Sequence, residues 1–311
     1  MTRILITGPS GFIGSHCLRQ LLQHGGEIHA VSRTGGAAQD GVTWHARDLR
    51  DAAQAAEIVT EIKPDLLLHG AWIATPGVYS SSPENIDWLH STTAMAVAFG
   101  NAGGKRFVGI GTSAEYDPHE RPCVEDETPI RPATVYGKCK AATWLAVQAA
   151  AQHHGFSAAW GRLFLPYGPG DSPRRLVPSL LDALIGGRPI RTTEGLQQRD
   201  FIYAPDAAEL YVKLLFSDVT GAFNVGTGAP STVRSVIEYL AADCGRPDLV
   251  EFGAMKPAPG DPAVLVADMT KVQQQLGWSA PTTVRAGLDS VLAETRALRS
   301  HSANATHQAK P

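Results

Sequence analysis

Short, continuous apolar segments alternate with helix-length segments through the first half of the chain. Ile4–Thr7, Glu27–Ser32 and Arg106–Thr112 have the length of strands, and Phe12 to about Gln23 has the apolar spacing of a helix. Continuous apolar runs are typical of parallel strands that are buried on both faces. The alternation therefore predicts an α/β fold built on a doubly wound parallel sheet, in which ligands bind at the carboxyl ends of the strands.

The composition of the 311 residues argues against several other classes of protein. Charged residues make up 18% and leave a formal net charge of -3, without the clustered basic face of a nucleic-acid-binding protein. No run of about 18 apolar residues is present that would span a membrane. The four cysteines lie far apart, with no CxxC pair and no metal-type spacing. We therefore expect a cytoplasmic compartment and no metal site.

A glycine loop follows the first predicted strand. The segment TGPSGFIG, from Thr7 to Gly14, places glycines at positions 8, 11 and 14 and then opens an amphipathic helix. Such glycines permit a tight turn and a close approach of the backbone to a pyrophosphate, which sits at the helix N-terminus. The strand and helix around the loop favour dinucleotide binding over the alternative, an ordinary strand-to-helix turn.

The end of the second strand indicates which dinucleotide is bound. An acidic residue at this place would bind the ribose 2′-hydroxyl of NAD, but the chain has Ser32, Arg33 and Thr34. An arginine accommodates a 2′-phosphate. We therefore expect NADP(H) in preference to NAD(H). The alternative is a solvated Arg33 on a protein that uses NAD.

Two later segments carry a candidate acid-base set. In YGKCK, Tyr136 and Lys140 are four residues apart and share one helical face. A nearby ammonium favours the phenolate, so we expect Lys140 to lower the tyrosine pKa toward neutrality. In GTSAEYD, Thr112 and Ser113 end a predicted strand, where a hydroxyl would bind a reacting oxygen; alternatively, they only cap the strand.

The order of these motifs resembles the extended short-chain dehydrogenases/reductases, in particular the NAD-dependent epimerase/dehydratase group that acts on nucleotide sugars. The resemblance covers about residues 2–288 and implies a Rossmann-type sheet with a smaller C-terminal α/β substrate lobe. We expect residues 1–165 and 200–222 to form the NADP(H)-binding domain, 166–199 and 223–298 the substrate lobe, and 299–311 a disordered tail. The motifs are TGPSGFIG, RDLRD, LHGAW, GTSAEYD, YGKCK, RLFLPYGPGD, RDFIYAPDAAE, FNVGTG and PGDPAVLVADMTKVQQQLGW.

The resemblance also implies individual roles. Thr112, Tyr136 and Lys140 would be catalytic, Asp48 would meet the adenine amino group, and Arg199 would pair with the substrate diphosphate. The implied cofactor-binding residues are Gly8, Ser10, Gly11, Phe12, Ile13, Gly14, Arg33, Asp48, Leu49, Ala71, Tyr136, Lys140 and Leu163. The implied substrate-binding residues are Thr75, Thr112, Ser113, Tyr136, Arg174, Arg175 and Arg199.

Several positions depart from the family pattern. Dehydratases carry an acid pair directly after the catalytic Thr, whereas this chain has Ala114 and reaches Glu115 one place late, which argues against a dehydratase unless Glu115 shifts inward. Leu165 stands where many members have Asn, as does Trp88, and Ala258 stands where many have Arg. Lys256, Arg174 and Arg175 are candidates to hold the phosphate instead, or are solvated surface charges.

The departures favour an NADPH-dependent reductase of a nucleotide-linked 4-keto-6-deoxy sugar. A 4-epimerase with bound NAD uses the same Tyr, Thr and Lys and is the main alternative. A non-catalytic NADP-sensing protein is a further alternative, although relatives of that kind generally lose the YxxxK pair. The predicted helices near residues 83–101 and 134–154 would pair two subunits in a four-helix bundle, or would pack only on the sheet. We expect His69 to be buried and hydrogen-bonded rather than catalytic.

Overall fold

The computed structural model describes residues 1–117, 121–258 and 260–308. Its strands are β1 (Arg3–Thr7), β2 (Glu27–Ser32), β3 (Val42–Ala46), β4 (Leu66–His69), β5 (Arg106–Thr112), β6 (Ser157–Leu163), β7 (Leu165–Tyr167), β8 (Ile190–Arg191), β9 (Gln198–Tyr203), β10 (Gly221–Val225), β11 (Pro230–Thr232), β12 (Val250–Glu251) and β13 (Val264–Leu265). Its α-helices are α1 (Phe12–His24), α2 (Ala52–Ile62), α3 (Glu84–Asn101), α4 (Val135–His154), α5 (Leu176–Ile185), α6 (Ala204–Leu215), α7 (Val233–Asp243), α8 (Thr270–Leu276) and α9 (Val284–Gln308).

Seven parallel strands form the main sheet in the order β10-β6-β5-β4-β1-β2-β3. The chain winds outward from β1 in one direction through β2 and β3, and in the other through β4, β5 and β6. The carboxyl ends of β1 and β4 therefore meet at the switch point, where Thr7 is in register with His69. This arrangement confirms the predicted doubly wound Rossmann-type sheet and places the ligand crevice at these strand ends.

Helices cover both faces of the sheet, and successive strand residues point to opposite faces, so both sets of side chains are buried. In β1, Ile4 and Ile6 contribute to a core that includes buried side chains of α1 and α6, while Leu5 contributes to the opposite core with α2, α3 and α4. All three side chains are at most 1% exposed. This burial explains why the strands appear in the sequence as continuous apolar runs.

A second, smaller layer is built from the later part of the chain. Strand β9 is central to a small sheet, where it pairs with β7, β11 and β13, and β8 pairs with β12. Buried residues of α5, α7 and α9 form a separate core beneath it. The strands do not follow the expected lobe boundaries, because β9 lies in the small sheet and β10 completes the main one.

The C-terminal segment differs from the expected tail. Helix α9 runs Val284–Gln308 and therefore includes most of residues 299–311, for which the sequence predicted disorder. No glycine or proline lies between Leu288 and Lys310, so nothing local ends the helix there. Residues 309–311 lie outside the described part of the chain. Within that part, no helix combines the length and the apolar character needed to cross a membrane.

Candidate active site

The glycine loop between β1 and α1 has a backbone that only small residues allow. Gly8 has φ +71, and a Cβ on it would lie 2.8 Å from the backbone N of Ala71. A Cβ on Gly14 would lie 2.0 Å from the carbonyl O of Gly8. Gly11 is the N-cap of α1 and supplies no side-chain cap, so the first amides of the helix keep their donors for a ligand. The loop fits the phosphates of a dinucleotide.

A cleft of about 710 Å³ runs along the carboxyl ends of the strands. It brings together most of the residues that the sequence predicted for the site. These are Gly8, Ser10, Gly11, Phe12, Ile13, Gly14, Arg33, Leu49, Ala71, Thr75, Thr112, Ser113, Tyr136, Lys140, Leu163, Arg175 and Arg199. The first and second halves of the chain both contribute to its walls, as a site for two ligands requires.

Two predicted site residues lie outside the lining of this cleft. Asp48 accepts hydrogen bonds from the Arg50 side chain, at 2.8 Å and 3.2 Å, and these bonds hold its pKa below the usual range. Its carboxylate is thus already engaged on its own loop. Arg174 is exposed beside α5 and does not line the cleft, whereas its neighbour Arg175 does. Sequence position alone did not separate these two arginines.

The end of the cleft beside the carboxyl end of β2 is lined by more arginines than the sequence motifs indicated. Arg47 and Arg50 line it together with Arg33. Arg50 also pairs with Glu84 at 3.4 Å, and Arg47 pairs with Glu61 at 3.1 Å. Both arginines lie in the RDLRD segment, and the basic residues of this segment could have indicated that they line the cleft. Arg47 and Arg50 are therefore already partnered by carboxylates, whereas Arg33 is exposed at this end of the cleft.

The acid-base residues meet in the middle of the cleft. Tyr136 is half-buried. Loss of solvent around its hydroxyl raises the tyrosine pKa well above its usual value, while a hydrogen bond from the Thr112 hydroxyl opposes the increase. The expected lowering by Lys140 is absent, because the Lys140 ammonium donates to the Ile110 carbonyl at 2.7 Å and burial dominates. The same burial lowers the pKa of Lys140 to about 7, partly opposed by the charge of Glu115.

Glu115 is held away from any substrate. Its side chain is completely buried and accepts hydrogen bonds from the Thr112 backbone N–H at 2.9 Å and the Trp160 indole N–H at 2.8 Å. A third bond, at 2.9 Å, comes from Arg162, with which it forms an ion pair. Glu115 therefore does not shift inward as a dehydratase acid. It fixes the end of β5, where Thr112 presents its hydroxyl to the cleft.

His69 is a buried structural residue, as the sequence predicted. The Thr7 hydroxyl accepts from the backbone N–H groups of Gly70 and Ala71, at 3.1 Å and 3.2 Å, and lies 2.8 Å from His69 Nδ1. The hydroxyl hydrogen of Thr7 is thus available to Nδ1, which leaves Nε2 to donate to Thr92 at 2.9 Å. Burial lowers the pKa of His69 to about 3, so the imidazole is neutral.

Trp72, which ends the LHGAW motif, and Trp88 form an aromatic wall, and the sequence motifs did not indicate that they stack. Trp72 stacks on Trp88 with ring centroids 6.1 Å apart, and the Lys140 ammonium lies 4.0 Å from the centre of a Trp72 ring. The Trp72 indole donates to Asn85 Oδ1 at 2.8 Å, and Asn85 in turn donates to the Tyr79 carbonyl at 2.7 Å. These bonds hold the loop between β4 and α3 against the cleft.

Arg199 closes the cleft on the side of the small sheet. It is 7% exposed and is anchored by Asp261 at 2.5 Å and by the Pro262 carbonyl at 2.8 Å. Its neighbour Asp200 is completely buried and accepts from the backbone N–H groups of Thr227, Gly228 and Ala267. The buried carboxylate thus ties β9 to the two segments beside it and fixes the position of Arg199.

The cysteines of the chain are all free. Burial raises the pKa of the Cys139 thiol and raises that of Cys123 to about 11. A thiol with a raised pKa is a weak nucleophile at neutral pH, so Cys139 has the packing role that was expected of it. Among the described residues, no group of three His, Cys, Asp or Glu side chains is arranged to hold a metal ion.

Known proteins are similar in sequence to this chain over most of its length. The model of the NAD dependent epimerase/dehydratase family matches residues 4–226. A UDP-glucose 4-epimerase of Corynebacterium glutamicum is 28% identical over 331 aligned positions, which cover 97% of this chain and 98% of the relative. A UDP-glucose 4-epimerase of Bacillus subtilis is 25% identical, with 97% and 98% covered.

Solved structures share the fold as well. The UDP-glucose 4-epimerase of Thermus thermophilus, in complex with NAD, is 27% identical with a TM-score of 0.85, covering 95% of this chain and 99% of the other. MoeE5, in complex with UDP-glucuronic acid and NAD, is 29% identical with a TM-score of 0.81, covering 94% and 99%. The family match extends over more than half of the sequence and includes both the glycine loop and the YxxxK helix. The chain therefore belongs to the NAD dependent epimerase/dehydratase family, as an NAD(P)-dependent enzyme of the extended short-chain dehydrogenase/reductase type.

Proposed function

We propose that the protein is a nucleotide-sugar 4-epimerase. The observation that carries this proposal is the meeting of Tyr136 and Thr112 in one cleft with the glycine loop, where a sugar and a nicotinamide would lie side by side. The sequence motifs alone favour a 4-keto sugar reductase. The relatives that are UDP-glucose 4-epimerases support the alternative, the 4-epimerase, better than the reductase.

Different residues of the chain bind the sugar C4 hydroxyl and transfer its proton. The chemistry that a nicotinamide supplies when bound is the uptake and return of hydride at a sugar carbon. Thr112 holds the C4 oxygen through its hydroxyl, and Tyr136 removes and later restores the proton of that oxygen. Lys140, held over Trp72 and donating to the Ile110 carbonyl, would contribute a positive charge to the floor of the site. The aromatic wall excludes water from the reacting atoms.

Arg175 and Arg199 are the cations that we propose for the substrate diphosphate. Both line the cleft on the side of the small sheet. Arg175 Nε lies 3.4 Å from Asp171 and Arg199 is held by Asp261, so both guanidinium groups are positioned before a ligand binds. This pair compensates for Ala258, which stands where many relatives carry an arginine. Lys256 is exposed and outside the lining of the cleft.

The second candidate function is the NADPH-dependent reduction of a nucleotide-linked 4-keto-6-deoxy sugar. The observation that favours it is the group of Arg33, Arg47 and Arg50, which offers sites for a 2′-phosphate. A reductase consumes NADPH, whereas an epimerase retains its cofactor through the cycle. The solved relatives in the comparison are complexes with NAD, so the preference for NADP(H) belongs to this second candidate.

One experiment separates the candidates. Purified protein is incubated with UDP-glucose, UDP-galactose and a nucleotide-linked 4-keto-6-deoxy sugar, each without cofactor and with NADH or NADPH, and the products are resolved by chromatography. We expect interconversion of UDP-glucose and UDP-galactose without added cofactor, and a loss of about 100- to 10,000-fold in kcat for Tyr136→Phe. Stoichiometric NADPH consumption with only the keto sugar would establish the reductase. Cofactor binding with no turnover would leave a non-catalytic NADP-sensing protein.

We also propose a homodimer that forms through a four-helix bundle. Helices α3 and α4 pack side by side and expose apolar side chains, with Ile86 48%, Val97 40% and Leu145 67% accessible. A second copy of the same helix pair would cover them. The free thiols are consistent with a reducing compartment, and we propose the cytoplasm.

A further inference from the structure

A side pocket of about 280 Å³ adjoins the main cleft. The two spaces share Tyr79, Leu165, Pro166 and Arg175 as common walls. Tyr79 contacts the ring of Tyr136 edge to face, with centroids 4.9 Å apart. The side pocket therefore begins next to the proposed reacting carbon, within reach of a substituent on the neighbouring sugar carbon.

One carboxylate is buried in the wall of this side pocket. The Asp171 side chain is only 2% exposed, although it lines the pocket. It accepts one hydrogen bond from the Ser172 backbone N–H at 2.7 Å and faces Arg175 Nε at 3.4 Å. Burial raises its pKa to about 6, and Arg175 and Ser172 oppose that increase. A carboxylate has about four acceptor positions, so Asp171 retains capacity for a donor from a ligand.

The remaining walls of the side pocket are mainly apolar. Tyr167, Val177 and Phe201 belong to buried parts of β7, α5 and β9, and Pro76 closes the side toward the β4–α3 loop. The apolar walls and the single carboxylate suit a group with one apolar carbon and one hydroxyl, which would occupy the part of the pocket beside Asp171. Arg175 compensates the charge of Asp171, so a neutral hydroxyl fits better than an ammonium group, which Arg175 would repel.

We propose that the side pocket receives the hydroxymethyl group on C5 of the substrate sugar and that Asp171 accepts a hydrogen bond from its hydroxyl. This inference rests on the proposed function, because Tyr136 and Thr112 place C4 beside Tyr79. It assigns Asp171 as a specificity-determining residue that selects hexoses with an intact C6 hydroxyl over pentoses of the same nucleotide.

The test compares UDP-glucose with UDP-xylose, which lacks the C5 substituent. Binding constants are measured by calorimetry and kcat/KM by product analysis, for the wild type, Asp171→Leu and the matched control Asp182→Asn on the exposed side of α5. We expect Asp171→Leu to weaken UDP-glucose about 10- to 100-fold more than UDP-xylose, as the loss of one hydrogen bond to a charged group does. Release of Arg175 from its partner Asp171 would affect both sugars alike. Asp182→Asn should behave as the wild type.

A second variant tests the side pocket from its opposite wall. Val177→Phe fills the side pocket from its apolar wall without removing Asp171, and should also abolish the preference for UDP-glucose. Equal affinities of the wild type for the two sugars, or equal losses for both in Asp171→Leu, would overturn the inference. A wild type that binds UDP-glucose more tightly but converts neither sugar would instead reject the proposed epimerase and leave the subsite standing.

Discussion

Lys140 holds its charge where little water reaches it. Burial lowers its pKa to about 7, and two features oppose that effect: the carboxylate of Glu115 and the face of Trp72 at 4.0 Å. A cation over an indole ring is stabilised by about 0.5–2 kcal/mol. The protonation of Lys140 near neutrality therefore depends on an aromatic residue that does not itself exchange protons.

Replacing Trp72 tests this dependence at a single residue. We expect Trp72→Leu to lower the pKa of Lys140. As the pH rises, Lys140 would then lose its charge earlier, and kcat/KM would begin to fall at a lower pH than in the wild type. The matched control Trp72→Phe retains a ring and should shift the profile less. The measurement is kcat/KM for UDP-glucose across a pH range from mildly acidic to mildly alkaline. Superimposable profiles for all three proteins would show that Trp72 does not act on the lysine charge.

At the scale of the element, the end of β5 is fixed by a buried ion pair. Glu115 accepts from the Thr112 backbone and pairs with Arg162, which also donates to the Tyr116 hydroxyl at 3.1 Å. The strand end keeps its shape because every donor in this group has a charged or polar partner. Loss of one charge leaves the other buried and uncompensated.

Glu115→Gln should therefore destabilise the whole protein. We expect the free energy of unfolding to decrease by about 3–5 kcal/mol, the usual cost of breaking a buried ion pair. Chemical denaturation monitored by circular dichroism measures the change. Glu127→Gln, an exposed carboxylate on the following segment, is the control and should alter stability by less than about 0.5 kcal/mol. Similar stabilities for the two variants would contradict the proposed importance of the pair.

The elements of the first half were predictable because their signals are local. Strands β2 and β5 are buried along most of their length, and their bounds match the apolar segments in the sequence. The glycine loop and the Tyr136–Lys140 spacing are equally local. The small sheet was not predictable, since β8, β12 and β13 contain two residues each and exist only through pairing. The Asp48–Arg50 pair, the aromatic wall and the Asp171 pocket were not predictable either, because each exists only through contacts between side chains in the folded protein.

At the scale of the whole molecule, two subunits would meet through the exposed faces of α3 and α4. We expect Val97→Glu combined with Leu145→Glu to give a folded monomer, because a buried interface does not tolerate unpaired carboxylates. Light scattering coupled to size-exclusion chromatography measures the mass. The control Leu196→Glu changes an exposed leucine of the small lobe and should leave the mass unaltered. A wild type that elutes as a monomer would reject this interface.

The neutral imidazole of His69 makes the folded protein less stable at acidic pH. Its pKa is about 3 in the fold, against 6.5 for an ordinary histidine, so the unfolded chain takes up a proton that the native chain refuses. Below about pH 6.5, each further unit of acidification costs ~1.4 kcal/mol of stability from this residue, until the pH approaches the native pKa. His69→Asn should unfold more readily at neutral pH but lose less melting temperature than the wild type on acidification to about pH 4.5. The hydrogen bond between His69 and Thr92, which holds α3 against the end of β4, therefore also makes the free energy of unfolding depend on pH.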